Sequence, residues 1–228
     1  YVMERCAANP DPSAFLDYHF NNPDNQQFGT LDPSITGPLT AGDRAADPTA
    51  REAAYFAANN AIRASVPMIP IAHGGSGTAW KADVEGAVAS PLNGESFASM
   101  DPGGRRQLVW MQNTSPRSFY CVDPGDTTSV RLCSNVFEQL YGFKPGTAEV
   151  TPGLAESCVP NEELTVWTCQ LRDGVTFHDG AQLDANDVLL SYAVQWDFEH
   201  PLHVGRSGTF LGWPGEFGPF LNGPLPAP

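Results

Sequence analysis

Four side chains of this 228-residue chain could carry out acid–base or metal chemistry if the fold brought them together, namely Asp11, His73, His178 and Asp179. A histidine beside a carboxylate is a common base and orienting group in hydrolases, and both side chains also bind zinc. Nothing in their spacing orders a nucleophile, a base and an orienting group. A secreted hydrolase or metal enzyme that uses these residues is therefore the alternative hypothesis.

Two further patterns look like binding motifs but lack essential parts. Glycines in residues 73–78 could let backbone amides converge on an anion, but the run lacks the Lys-Ser/Thr pair of a phosphate loop. His200 and His203 have a spacing that suits a metal on a helix, but Pro201 breaks that helix. We therefore predict no metal site and no cofactor.

The charge of the chain argues against two kinds of partner. Acidic residues number 26 against 12 basic ones, which gives a formal net charge of −14. Such a surface disfavours nucleic acid and anionic membranes. No segment is long and apolar enough to cross a bilayer. Because Tyr1 is not an initiator methionine, we expect a processed chain or a part of a longer one.

Five cysteines are more than a cytosolic domain of this size needs, and none forms the C-x-x-C pattern of zinc or redox sites. Disulfides in an oxidising compartment are the better interpretation. Cys121 precedes a predicted helix and Cys133 lies on its apolar stripe, which permits a local bridge. A buried thiol at Cys133 is the alternative.

Cys158 and Cys169 flank a predicted hairpin around residues 160–163. A regular hairpin about that centre would place Cys158 opposite Thr165, so this disulfide requires a bulge or a looser turn. Cys6 is left over, and we expect its partner outside this chain.

Residues 21–47 are rich in Asn, Asp, Gly and Pro, which predicts an irregular loop with a short helical turn. Asp47-Pro48 predicts the start of a helix. Residues 66–71 predict a strand at an edge or an end of a sheet, and residues 108–113 predict a short buried strand.

Residues 171–196 predict a strand, a turn and a helix. His178-Asp179-Gly180 supplies the backbone freedom of a tight reversal. Asp184 can cap the helix that follows, and Asp187 lies near the positive end of its dipole. Apolar residues recur at spacings of three and four, which predicts packing against a sheet; they are Val188, Leu189, Tyr192, Ala193 and Trp196.

Three motifs in this part of the chain resemble those of one family, in the same order and spacing. They are VFEQLY at 136–141, PGLAES at 152–157 and LRDGVTFHDGAQLDANDV at 171–188. The chain is similar there to the dipeptide, oligopeptide and nickel family (family 5) of extracytoplasmic solute-binding proteins. These are the capture subunits of ABC importers, and the resemblance implies binding rather than enzymatic activity.

Sequence similar to the late part of that family comes first in this chain. Residues 4–12 and 51–71 resemble segments of the family's second lobe, whereas about 104 to 203 resemble its beginning. Residues 100–104 form the junction. We expect the tail of a longer chain with a repeated first-lobe unit, although a circular permutation or two joined pieces would give the same order.

The resemblance implies an α/β fold of the class II periplasmic-binding-protein type, with a mixed sheet flanked by helices and an incomplete second lobe. Residues 1–84 would form a partial second-lobe segment. Residues 85–228 would form a first-lobe-like domain with an irregular C-terminal extension, and the missing rest of the second lobe would be a partner.

The family's ligand cleft also implies a set of binding residues in this chain. They are Arg5, Asn9, Trp110, Tyr120, Asp126, Thr127 and Thr128. In peptide-binding members an Asp captures the peptide's amino terminus at the position of Ala8. Because a methyl group cannot hold an ammonium, the resemblance leaves the ligand open.

The expected function is solute capture for an ABC importer, in which two lobes close around a peptide-like or other small solute without making a bond. The expected partners are that solute and a membrane permease, and no nucleic acid. The expected location is the periplasm or cell surface, with or without a lipid anchor. A structural module without a ligand is a further alternative.

Overall fold

The computed structural model describes residues 9–204, apart from 24, 26, 73, 74, 76, 93, 113, 118, 120, 122–125 and 198. For Thr127 and Trp196 it describes the backbone only. The chain divides into two compact units. The helical unit comprises residues 1–77 with 159–168, and the mixed unit comprises 78–158 with 169–228. The assignment of residues 1–84 and 85–228 to two lobes stays a prediction.

The helical unit contains α1 (Pro12–Phe20), α2 (Pro33–Arg44) and α3 (Pro48–Ser65). Each begins with an Asp-Pro pair, in which proline takes the first helical position and the aspartate caps it. The carboxylates of Asp11, Asp32 and Asp47 accept hydrogen bonds from backbone N–H groups at 3.0, 2.8 and 2.8 Å.

The sequence predicted α3 from its Asp-Pro pair, but the prediction of an irregular loop with only a short helical turn over residues 21–47 was wrong. A 12-residue helix lies in that range, even though Pro38 is inside it. The same Asp-Pro signal marks its beginning. The apolar residues Ile35 and Leu39, one turn apart, supply its buried face.

The helical unit has a continuous apolar core. Its buried members are Phe20, Ile35, Leu39, Tyr55, Ala58 and Ile62. Leu39 and Ala58 are fully buried. At Gly42 a Cβ atom would lie 2.9 Å from the ring of Tyr55, so glycine is what allows α2 to approach α3 this closely.

The mixed unit contains α4 (Thr127–Val136), α5 (Ala185–Trp196) and a 3₁₀ turn at Phe97–Ser99. Its strands are β1 (Tyr141–Phe143), β2 (Val150–Pro152), β3 (Ala155–Pro160) and β4 (Trp167–Leu171), and the end of β3 and start of β4 fall in the helical unit. They form two separate two-stranded sheets, β1–β2 and β3–β4. In the first, which is antiparallel, Tyr141 pairs with Pro152.

The α/β composition is confirmed, but strands predicted at 66–71 and 108–113 are absent from the described parts of those segments. An apolar run becomes a strand only when another strand pairs with it. Ile71 and Met111 are instead 80% and 89% exposed. A mixed sheet flanked by helices is likewise not formed by the described residues, whose strands pair two by two.

The β3–β4 hairpin brings Cys158 and Cys169 into a disulfide, with their Cα atoms 4.0 Å apart. The predicted disulfide is confirmed, and the reversal spans residues 161–166 rather than 160–163, which is the looser turn that this disulfide was expected to require. Asn161 organises it: its Oδ1 accepts hydrogen bonds from the backbone N–H groups of Thr165 and Val166, at 2.8 and 3.0 Å. Leu164 adopts a positive φ of 58° within this turn.

The turn and helix after β4 are confirmed. Thr176 and Gln182 form an antiparallel bridge around the turn, and Gly180 has a φ of 90°. Asp184 and Asp187 form a reciprocal capping box at the start of α5. The predicted burial of the apolar stripe was wrong at Leu189, which is 66% exposed.

A loop closes on itself at the predicted junction in the mixed unit. Glu85 and Asp101 form an antiparallel bridge with N–H···O distances of 3.0 and 2.9 Å. Arg105 donates to both carboxylate oxygens of Asp83, at 3.0 and 3.2 Å. Gly103 has a φ of 67°, and a Cβ atom there would lie 2.3 Å from the carbonyl oxygen of Asp83. The chain therefore crosses the junction as one folded segment.

Candidate ligand-binding site

The predicted binding residues fall in both units, and some lie outside the described residues. Arg5 and Tyr120 are among those not described, as is the side chain of Thr127. Asn9 belongs to the helical unit, whereas Trp110, Asp126 and Thr128 belong to the mixed unit.

Asp126 caps α4 with both carboxylate oxygens. Its Oδ1 accepts a hydrogen bond from the backbone N–H of Ser129 at 2.9 Å, and its Oδ2 accepts one from the Ser129 hydroxyl at 2.7 Å. These bonds lower the pKa of Asp126. The side chain therefore carries a negative charge at the beginning of a helix, where the helix dipole also favours it.

Thr128 is the second residue of α4 and is only 3% exposed. Its hydroxyl is 3.0 Å from the hydroxyl of Thr114. In this conformation the side chain connects α4 to the preceding loop, and contact with a solute stays a prediction.

Trp110 lies in a polar and aromatic group that we call the Trp110 cluster, which also contains Glu95, Phe97, Arg131 and Asn135. The Phe97 ring is 5.2 Å from the Trp110 ring, and the Arg131 guanidinium lies 5.5 Å from the centre of the Trp110 ring. That distance suits a cation–π interaction. Trp110 is half-buried and keeps some surface for a solute.

The ion pair of the Trp110 cluster is largely buried. Arg131 Nε donates to Glu95 Oε2 at 2.6 Å, and the two side chains are 15% and 5% exposed. Asn135 strengthens the same connection, since its Nδ2 donates to the Glu95 carbonyl at 2.9 Å and its Oδ1 accepts from Phe97 N–H at 2.7 Å. The segment before the junction is thereby bound to one face of α4.

Sequence reasoning missed Arg131, Glu95 and Asn135. A usable signal existed on α4, because Thr128, Arg131 and Asn135 follow one another at spacings of three and four and therefore share a face. Glu95 gave no such signal. Its ion pair joins positions 36 residues apart, and local spacing does not predict a contact of that range.

In the helical unit, Asn9 and Asp11 lie at the N-terminal end of α1. Asn9 Oδ1 accepts from Asp11 N–H at 3.0 Å, and Arg51 donates to both oxygens of Asp11 at 2.8 and 3.0 Å. Burial raises the pKa of Asp11, but hydrogen bonds from Arg51 and Ser13 outweigh it and leave the pKa lowered. Asp11 is therefore an ionised partner of Arg51 and a helix cap.

The alternative enzyme is not supported by the residues that the structure describes. His178 is exposed in its turn, and Asp179 Oδ1 accepts a hydrogen bond from Ala181 N–H at 2.9 Å. Asp11 is occupied by Arg51, and His73 lies outside the described residues. Among Asp11, His178 and Asp179, which the structure describes, no nucleophile is ordered against a base as an enzyme of this type would need.

The two C-terminal histidines also have structural roles. His203 is buried, with its Nδ1 2.7 Å from the carbonyl oxygen of Val194 near the end of α5. His200 Nδ1 accepts from Leu202 N–H at 3.1 Å. Within the described part of the chain, no group of three or more His, Cys, Asp or Glu side chains could hold a metal ion.

Comparison with known proteins confirms the family resemblance over part of the chain. Residues 149–208 match the family model described as bacterial extracellular solute-binding proteins, family 5 Middle. Di/tripeptide-binding protein 4 of Pseudomonas aeruginosa is 36% identical over 106 residues, which are 43% of this chain and 20% of that protein. The dipeptide-binding protein of Escherichia coli is 34% identical over 102 residues, 42% of this chain and 18% of that protein.

Heme-binding protein A of Haemophilus influenzae is 35% identical over 81 residues, 33% of this chain and 15% of that protein. These three relatives are named for binding a ligand. The chain spans about a fifth or less of their length. No solved structure matches it, and no described helix combines the length and hydropathy of a membrane span.

Proposed function

We propose, from the match of residues 149–208 to the family 5 model, that the chain is part of the solute-capturing component of an ABC importer. Its task is to bind a small solute by closure of lobes, without making or breaking a bond. The observation that carries the proposal is the family match at 149–208.

The described geometry is consistent with binding rather than catalysis. The Trp110 cluster offers the aromatic surface of Trp110 and Phe97 beside the side-chain amide of Asn135. Its charged pair neutralises itself at 2.6 Å. A solute would meet shape and hydrogen-bonding groups there, and such groups are what binding pockets use for orientation.

The proposed solute is a peptide-like molecule, because two of the three relatives described above are named for di- or tripeptides. Asn9, Trp110, Asp126, Thr127 and Thr128 are its proposed contacts, together with Arg5 and Tyr120. Ala8 offers no carboxylate to an amino terminus. Recognition of the peptide backbone or side chains would then replace recognition of the ammonium.

The proposed partners and location follow from the same premise. The solute would be delivered to a membrane permease, and further polypeptide of the second lobe would complete the cleft. The chain would act outside the cytoplasm, where its two disulfides would persist.

Thermal-shift measurements on the 228-residue chain test the proposal with a dipeptide, a tripeptide, an N-acetylated dipeptide and haem. A bound ligand at about 100 times its Kd should raise Tm by about 5–10 °C. Because Ala8 cannot hold an ammonium, the acetylated and free dipeptides should act equally. A failure of all ligands, combined with turnover of a chromogenic ester, would favour the alternative enzyme.

Substitution at Ala8 sharpens that test. Ala8→Asp supplies the missing carboxylate and should make the free dipeptide bind more tightly than the acetylated one. Ala7→Asp is the matched control, because it adds the same charge at the adjacent position. Equal preference for the free dipeptide in both variants would show a general charge effect instead of a specific contact.

A further inference from the structure

A cavity of about 180 Å³ lies in the helical unit, and none of the described solute contacts proposed above lines it. The last turn of α1 contributes His19 and Phe20, the segment before α2 contributes Phe28 and Asp32, and the end of α3 contributes Ser65. An engineered protein cavity of about 150 Å³ binds benzene. The volume therefore suits a ligand about the size of one small ring.

One wall of the cavity is aromatic. The rings of Phe20 and Phe28 stack, with their centres 5.2 Å apart and 15° between their planes. The His19 ring lies 5.6 Å from Phe28, edge to face. Phe20 belongs to the buried core, whereas Phe28 is only partly buried and keeps ring surface for a ligand. Such a surface attracts apolar groups, and the negative face of an aromatic ring also attracts cations.

The charge at the cavity is negative. Among the described residues that line it, Asp32 is the one with a full charge when His19 is neutral. Hydrogen bonds from the side chain and backbone of Ser34 lower the pKa of Asp32, so this carboxylate is ionised at neutral pH. Both α1 and α3 end at the cavity, and the negative ends of their dipoles add to this charge.

Two polar side chains of the lining can accept hydrogen bonds from a ligand. Asp32 Oδ1 accepts from Ser34 N–H at 2.8 Å, but an ionised carboxylate offers about four lone-pair sites, so capping leaves acceptor capacity. The Ser65 hydroxyl donates its proton to the Ile62 carbonyl at 3.0 Å, which leaves its oxygen as an acceptor. A ligand that suits both groups is therefore a hydrogen-bond donor.

We propose that this cavity binds a small organic ammonium ion whose apolar body is about the size of one ring. The body would lie against Phe28 and Ile35, which line the cavity. The ammonium would donate to the Asp32 carboxylate, with the Ser65 hydroxyl oxygen as a further acceptor. An anion would be repelled by Asp32. The inference does not depend on solute capture.

NMR titration of the full ¹⁵N-labelled chain with benzylammonium and with benzyl alcohol tests the need for a positive charge. The two probes have nearly the same shape, and at about pH 8 an ordinary histidine is neutral. Benzylammonium should shift the backbone amide resonances of Gly29, Ile35 and Ser65 saturably. It should bind at least about fivefold more tightly than benzyl alcohol. Equal affinities, or no saturable shift of these resonances, would overturn the proposal.

Asp32→Asn removes the charge but keeps a side-chain oxygen that can cap α2. This variant should bind benzylammonium no more tightly than benzyl alcohol. Asp47→Asn is the matched control, because Asp47 caps α3 in another Asp-Pro pair and is not among the residues that line the cavity. It should keep the preference for benzylammonium. A preference that persists in Asp32→Asn, or that Asp47→Asn loses to the same extent, would refute a specific contact with Asp32.

Discussion

The two units of this chain reach stability by different means. The helical unit buries six apolar side chains in one cluster between its helices. In the mixed unit, the buried apolar side chains among the described residues are Ala155 and Val194, whereas Glu95, Thr128, Ser129 and His203 are buried polar ones. Both disulfides also lie in the mixed unit.

The contrast shows what can replace an apolar core. Burial of polar groups is favourable only where each finds a partner, and the mixed unit supplies these partners through Asp126, Thr114, Arg131 and Asn135. Its cross-links lower the entropy of the unfolded chain instead of adding buried area. The helical unit relies mainly on the hydrophobic effect.

Reduction of the two disulfides should produce the largest difference in stability between the two units. Each disulfide closes a short loop and should contribute about 3 kcal/mol, so reduction should expose α4 and β3 and leave α2 and α3 protected. Hydrogen exchange detected by mass spectrometry, with and without a reductant, measures this difference. A Cys6→Ser background removes mixed disulfides. Equal loss of protection in α3 and α4 would contradict the contrast.

Leu39→Ala should produce the next largest effect, because it opens a cavity in the fully buried core of the helical unit. We expect a loss of about 3 kcal/mol in the free energy of unfolding. Urea unfolding followed by circular dichroism gives the value. Leu189→Ala on α5 is the matched control, since that side chain is 66% exposed and should cost below about 0.5 kcal/mol. Similar losses in both variants would show that other polypeptide buries Leu189 on α5.

Glu95→Gln tests the buried polar network of the mixed unit. The amide can still accept a hydrogen bond from Arg131, but the positive charge of Arg131 then lacks a negative partner. We therefore expect a loss of about 2 kcal/mol in the free energy of unfolding and a change in Trp110 fluorescence. Glu149→Gln is the control, because the Lys144–Glu149 pair is 58% and 62% exposed and should contribute almost nothing. Equal losses in Glu95→Gln and Glu149→Gln would show that the buried ion pair does not stabilise this unit and that its disulfides do.

Asn161→Ala should have the smallest effect, about 1 kcal/mol, through loss of the side-chain hydrogen bonds in the β3–β4 turn. Asn161→Asp keeps the oxygen that Thr165 and Val166 N–H groups contact and should restore most of the loss. Urea midpoints and amide chemical shifts of the hairpin measure both variants. A loss in Asn161→Asp as large as in Asn161→Ala would exclude that acceptor as the cause.

The elements set by local chemistry were predictable from the sequence. The capping box of Asp184 and Asp187, the turn at Gly180 and the Asp47-Pro48 start of α3 each depend on neighbouring residues. The helix at Pro33 was predictable by the same rule. It was missed because the glycine and proline content of the segment outweighed its Asp-Pro signal.

The remaining features depend on distant residues. The Glu95–Arg131 pair and the Asp11–Arg51 pair join positions 36 and 40 residues apart. The hairpin register depends on the Asn161 side chain, which substitutes for backbone bonds in the turn. At Leu189, periodicity predicted an apolar face but could not predict whether other polypeptide covers it.

The two disulfides also determine how the chain would respond to mechanical force. When the ends of the chain are pulled, the disulfide bonds would transmit the tension from Cys121 to Cys133 and from Cys158 to Cys169. These pairs are 12 and 11 residues apart. Each enclosed segment would carry no tension and would withhold about 40 Å of extension. In a force spectrometer, the oxidised molecule should therefore reach a shorter full contour length than the reduced one, and most of the β3–β4 ribbon should remain unloaded.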